Sequence, residues 1–235
     1  MNVRSGNCAE DMFSLSDFNG DILSIPHNFY IGRERYKMNR IQEEFLDLVR
    51  LLPEPEELLE RAKIFAKIDD GAEFSENYNE NGADRYYWED GSGGEANIIF
   101  KADGKHIDSV LMFVYDHESE FNTYSESFLQ IAFDSLPASI ENLIAEDYLK
   151  WSWDKGSEEH VVYATAAIWR EHGDAEWRFS PILFTAFAEE GEDGGFDYGF
   201  DRFTLPLEAD AFIRFYEERG LRGEYDDIIR QILPN

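Results

Sequence analysis

Apolar residues recur at three- and four-residue steps through 33–51. There Met38, Ile41, Phe45, Leu48 and Val49 stand among charges, which predicts a helix. Pro53 ends it. Pro55 suits the first turn of a second helix, PEELLERAKIFAKI, whose early Glu56 and Glu57 favour a helix N-terminus. Leu58, Leu59, Ala62, Phe65 and Ala66 supply its apolar face, and the two helices read as an α-hairpin. Before them, residues 1–32 read as a short hairpin or extended segment. Phe13, Leu15 and Phe18 alternate with polar residues there, and Ile22, Leu23 and Ile25 follow an Asn19-Gly20 turn.

The pattern changes to strands at 96–102 (ANIIFKA) and 107–115 (IDSVLMFVY), which flank the hairpin dipeptide Asp103-Gly104. The second is nearly all apolar, as a central strand should be. One or two short helices are expected around Pro137, with Ile140, Leu143, Ile144 and Tyr148 at helical spacing. Strands are expected again at 160–170 and 176–188, joined by His172-Gly173-Asp174, and helices at 206–219 and 224–233. The expected fold is therefore α+β in one domain, 1–235: an antiparallel sheet (96–188) with flanking helices, an N-terminal α-hairpin within 1–68 and a C-terminal helix pair.

Between these elements lie two stretches of another composition. Residues 69–95 hold nine acids and one base, Arg85, together with the aromatic run Tyr86, Tyr87 and Trp88. Residues 189–201 hold six acids and no base. Both read as loops, the first long enough to be functional or disordered, the second mobile unless Phe196, Tyr198 and Phe200 dock it. The whole chain shares their sign: 50 Asp and Glu against 21 Lys and Arg, net −29. That charge opposes nucleic acid, whose phosphates need Lys and Arg, and opposes an anionic membrane surface. It favours a basic partner, a cation or a high-salt setting. One cysteine, Cys8, leaves no internal disulfide and no Cys-based zinc site. No apolar run approaches membrane-span length, and no signal core opens the chain, so a reducing, bacterial-type cytoplasm is expected.

The most chemical stretch is Asp116, His117, Glu118 and Glu120, which follows the apolar strand. These residue types suit a divalent metal or acid–base work, but strand alternation would put His117 opposite Asp116 and Glu118. There is no HExxH, no GxSxG elbow and no phosphate-binding glycine loop, so no cofactor is implied. Trp88 stands apart from the other tryptophans because carboxylates surround it, and aromatics ringed by carboxylates engage Lys and Arg. The candidate partner-binding residues are Glu73, Glu76, Tyr86, Tyr87, Trp88, Glu89, Asp90, Asp116, His117, Glu118, Glu120, Glu192 and Asp193.

The run FVYDHESEFNTYSESFLQIAFDSL (113–136), then Pro137, then ATAAIWREHGDAEW, resembles a group of uncharacterised acidic bacterial proteins. In that group an apolar strand leads to DHES, then DxLP, then a WR strand. Asp134, Leu136 and Pro137, then Trp169, Arg170 and Trp177 stand at those places. The resemblance spans about 70 residues and implies an immunity-type protein by analogy, without any catalytic residue. Three readings result. The first is an acidic binding or inhibitor protein that meets a basic, toxin-like partner. The second is an enzyme using Asp116, His117 and Glu118, with or without a metal. The third is acidity that serves only solubility in high salt, which the seven Lys against 14 Arg fit loosely.

Overall fold

A computed structural model describes residues 30–31, 34–35, 38–104, 106–119, 121, 131–133, 135–144 and 164–233. The chain divides after Lys37. In the first part Tyr30–Ile31 (β1) pairs antiparallel with Glu34–Arg35 (β2). Cys8, the Asn19-Gly20 turn, Glu120, Trp151, Trp153, 145–150 and the strand start at 160–163 lie outside the described residues.

In the second part the first helix begins later than expected, at Arg40–Leu51 (α1). Asn39 sets the start. Its side chain accepts from the Gln42 backbone N–H, and the Gln42 side chain accepts from the Asn39 N–H, a reciprocal cap that satisfies two open donors. The second helix, Pro55–Ile68 (α2), opens on its proline as expected. α1 sets Phe45 against Phe179, Phe184, Phe187 and Phe196, with ring centroids 5.0–6.2 Å apart. α2 sets Phe65 against Phe203 and Phe212 at 4.7 and 5.0 Å.

One antiparallel sheet forms the centre: Ala72–Ser75 (β3), followed in order by Asp84–Glu89 (β4), Glu95–Asp103 (β5), His106–Tyr115 (β6), Ala166–Glu171 (β7) and Arg178–Phe179 (β8). The α+β class with a single antiparallel sheet is therefore as expected, with β6 central. Its register puts Trp88, Ala96, Val114 and Ala166 in one row, and Tyr86, Ile98, Met112 and Ile168 in the next row on the same face.

Three expectations change. Residues 69–95 are not one loop, because β3 and β4 occupy much of them. The signal was the alternation of Tyr86 and Trp88 with Arg85, Tyr87 and Glu89, masked by the density of acids. The strand expected over 176–188 is only β8. Ser180 then caps a helix, Pro181–Glu190 (α4), by accepting from the Leu183 N–H at 3.1 Å, and Pro181 takes the first turn. A continuous apolar run fits a buried helix as well as a strand, and the Ser-Pro pair decides between them. The third is 189–201. Gly191 ends α4 in the left-handed conformation, and the chain folds back as Phe196–Phe200 (α5) with Phe196 and Phe200 fully buried. A short helix at Ala138–Glu141 (α3) precedes β7, and Ala209–Glu218 (α6) and Asp226–Ile232 (α7) close the chain near the expected positions.

Candidate functional site

β6 stops at Tyr115, so Asp116, His117 and Glu118 form a turn and not a strand end with alternating faces. The Asp116 carboxylate accepts from the Glu118 N–H at 2.9 Å, which holds that turn. His117 Nε2 lies 3.9 Å from Glu118 Oε1, and the imidazole packs against Gly93 of the β4–β5 turn.

Two other segments close on this point. The β4–β5 turn is built by Asp90, whose Oδ1 accepts from Ser92 N at 2.6 Å and Gly94 N at 3.0 Å. The α4–α5 turn is clamped from the other side by Thr165, just before β7. Its hydroxyl donates to Gly194 O at 2.7 Å and accepts from Asp116 N at 2.9 Å, so one hydroxyl ties the turn to the β6 exit. Ser119 donates to the Glu192 carboxylate across the same gap. Gly195 lies so close to Asp116 that a Cβ there would sit 2.8 Å from the Asp116 Cβ. Within the turn, Asp193 accepts from Gly195 N at 3.1 Å and Asp197 N at 3.0 Å. Burial, then the Asp197 charge, pushes the Asp193 carboxyl up to about 6.

Tyr198 projects from this cluster with 45% of its surface exposed. Its ring meets Trp88 edge-on, 5.2 Å between centroids. Burial and then the Asp90 charge raise the phenol's pKa, Arg202 and Arg219 oppose this, and Asp116 adds a smaller upward push. Trp88 itself is 6% exposed, and the guanidinium of Arg202 lies 4.2 Å from its ring. Arg202 donates to Asp69 Oδ2 at 2.7 Å.

Of the sequence candidates, the fold brings together Asp90, Asp116, His117, Glu118, Glu192 and Asp193 at the β6 exit and the two turns that face it, with Glu89 where β4 leads into the first of them. It separates the others. Tyr86 is fully buried beneath Phe203, so its ring serves the core and not a contact surface, and burial pushes its hydroxyl up to about 12. Trp88 is likewise interior and contacts the exposed Tyr198. Tyr87 points to the opposite side of the sheet, 4.6 Å from the Arg85 guanidinium, with its hydroxyl on Glu89 at 3.1 Å. Glu73 pairs with Tyr87 across β3–β4, and Glu76 stands at the far end of these strands. Sequence reasoning missed Thr165 and Arg202, which carry no local signal, and took Tyr198 only as a docking ring.

Among the described residues no group of three or more His, Cys, Asp or Glu is placed to hold a metal ion. Among the same residues no helix is long and apolar enough to cross a membrane. No family model, curated protein or solved structure matches the chain.

Proposed function

We propose that this protein is an inhibitor-type binding protein that captures a basic protein on the face around the β6 exit, in the manner of an immunity protein neutralising a toxin. One observation carries the reading. Acids from three separate segments come together at the β6 exit, which also carries the exposed Tyr198: Asp116 lies against Gly195, Glu192 accepts from Ser119, Asp193 and Asp197 share the turn before Tyr198, and Asp90 holds the turn whose Gly93 packs on His117. Acids serving only solubility have no need to converge. Carboxylates around an aromatic ring attract Lys and Arg by charge and by cation–π contact, and exposed aromatics make strong interface anchors. The net charge of −29 adds long-range steering of a basic partner, which salt weakens.

The test replaces Asp90, Asp116 and Asp193 together by Asn. The wild type should retain a basic protein partner, with association slowing at least about tenfold between about 50 mM and about 500 mM salt. The triple variant should lose most of that binding while melting cooperatively. Equal binding by the triple variant, or binding indifferent to salt, would overturn the proposal.

A further inference from the structure

Arg202 is the most buried cation among the described residues, at 4% exposure. Its environment is layered. Asp69 grips one edge of the guanidinium at 2.7 Å, and the Tyr216 hydroxyl approaches the same Asp69 oxygen at 3.5 Å. The Trp88 ring lies 4.2 Å from the guanidinium, and Trp88 in turn contacts Tyr198. The contacts run Asp69, Arg202, Trp88, Tyr198: Arg202 and Trp88 are buried between a half-buried Asp69 at one end and the exposed Tyr198 at the other.

We infer that Arg202 is a positioning residue for the binding face: held by Asp69, it fixes the Trp88 indole on which the exposed Tyr198 ring rests. The inference rests on the reading of that face as the contact surface. Its logic is preorganisation. A free tyrosine ring samples several rotamers and gives up that freedom on binding; a ring already seated gives up little. The planar guanidinium suits the task because it stacks on an aromatic face while bonding edge-on to a carboxylate. Lysine keeps the charge and the reach to Asp69 but offers no plane to the indole. The group best suited to a seated ring flanked by Asp90 and Asp116 is a Lys or Arg side chain of the partner.

The experiment compares wild type with Arg202→Lys, Asp69→Asn and Tyr198→Ala. Three quantities are read: the ring-proton shifts of Tyr198, which report the Trp88 ring current; the melting profile; and affinity for acetyl-tetra-arginine amide at low salt by calorimetry. In Arg202→Lys the Tyr198 shifts should collapse toward free-tyrosine values. Peptide affinity should fall roughly three- to tenfold, about as far as in Tyr198→Ala, with a cooperative melt retained. A folded Arg202→Lys with unchanged Tyr198 shifts and affinity overturns the inference. Should that variant fail to fold, Asp69→Asn, which keeps the guanidinium and loosens its grip, must move the same shifts the same way; no movement overturns it equally. Collapse of the shifts with no peptide binding by wild type supports the positioning role and sinks the contact-face reading.

Discussion

Replacing Gly195 by Ala tests whether the α4–α5 turn lies against the β6 exit as described. Two costs add. Gly195 has φ +78°, and an L residue held there loses roughly 1–2 kcal/mol. The new Cβ would also lie 2.8 Å from the Asp116 Cβ and 2.9 Å from its Oδ2, well inside van der Waals contact, and overpacking of this kind costs about 1–3 kcal/mol. The sum is about 2–5 kcal/mol, or roughly 4–20 °C in melting temperature for a chain of this size. Gly191 provides the control. It has φ +80° but nothing within 4 Å of the added Cβ, so Gly191→Ala should cost only the conformational part, about 1–2 kcal/mol. The assay is a double-mutant cycle by urea denaturation with Asp116→Gly, which removes the Cβ in question. Gly195→Ala should couple to Asp116→Gly by about 1–3 kcal/mol, whereas Gly191→Ala should add independently. If the two glycine variants cost the same and neither couples to position 116, the convergence of the acidic segments is wrong.

Two further predictions concern the same region. Carboxyl-carbon NMR should find Asp193 titrating near 6. A raised acid pKa means that the folded state holds the proton more tightly than the unfolded chain. The stability contributed by protonated Asp193 is thus complete below about pH 4 and is lost as pH rises through about 6; a midpoint at the ordinary aspartate value refutes the burial of this carboxyl. Phe45→Ala removes a ring with four aromatic neighbours and should cost about 3–5 kcal/mol in urea denaturation, and a loss under about 1 kcal/mol would show that α1 does not carry the packing under α4 and α5.

The legible parts of the fold are those where a single period runs undisturbed. The rows of α1, α2, α6 and α7 and the Asp103-Gly104 hairpin declare themselves because burial on one face demands them. β3 and β4 are hidden in the sequence because dense charge reads as solvent exposure. On a strand only alternate residues need be apolar, and Tyr86 and Trp88 suffice. The acidic face was half legible. The two acid-rich stretches were evident, but their meeting depends on the Thr165 hydroxyl, on β6 lying at the centre of the sheet, and on glycines at 93 and 195 that permit close approach. Those are tertiary facts with no local pattern.

The interior also bears on why the surface is so acidic. Among the described residues Arg61, Arg85 and Arg202 are buried, while the carboxylates of Asp69, Asp193 and Asp201 are half-buried. Each arginine does what a lysine would not. Arg61 gives Nη1 to the carbonyls of Phe203 and Leu205 while its other edge holds Glu57; Arg85 turns two nitrogens onto Asn97 Oδ1; Arg202 stacks on Trp88 while gripping Asp69. A weakly hydrated, planar cation tolerates this burial better than a compact ammonium. The excess of 14 Arg over seven Lys therefore has a source in the core and is weaker support for a high-salt adaptation than the totals imply.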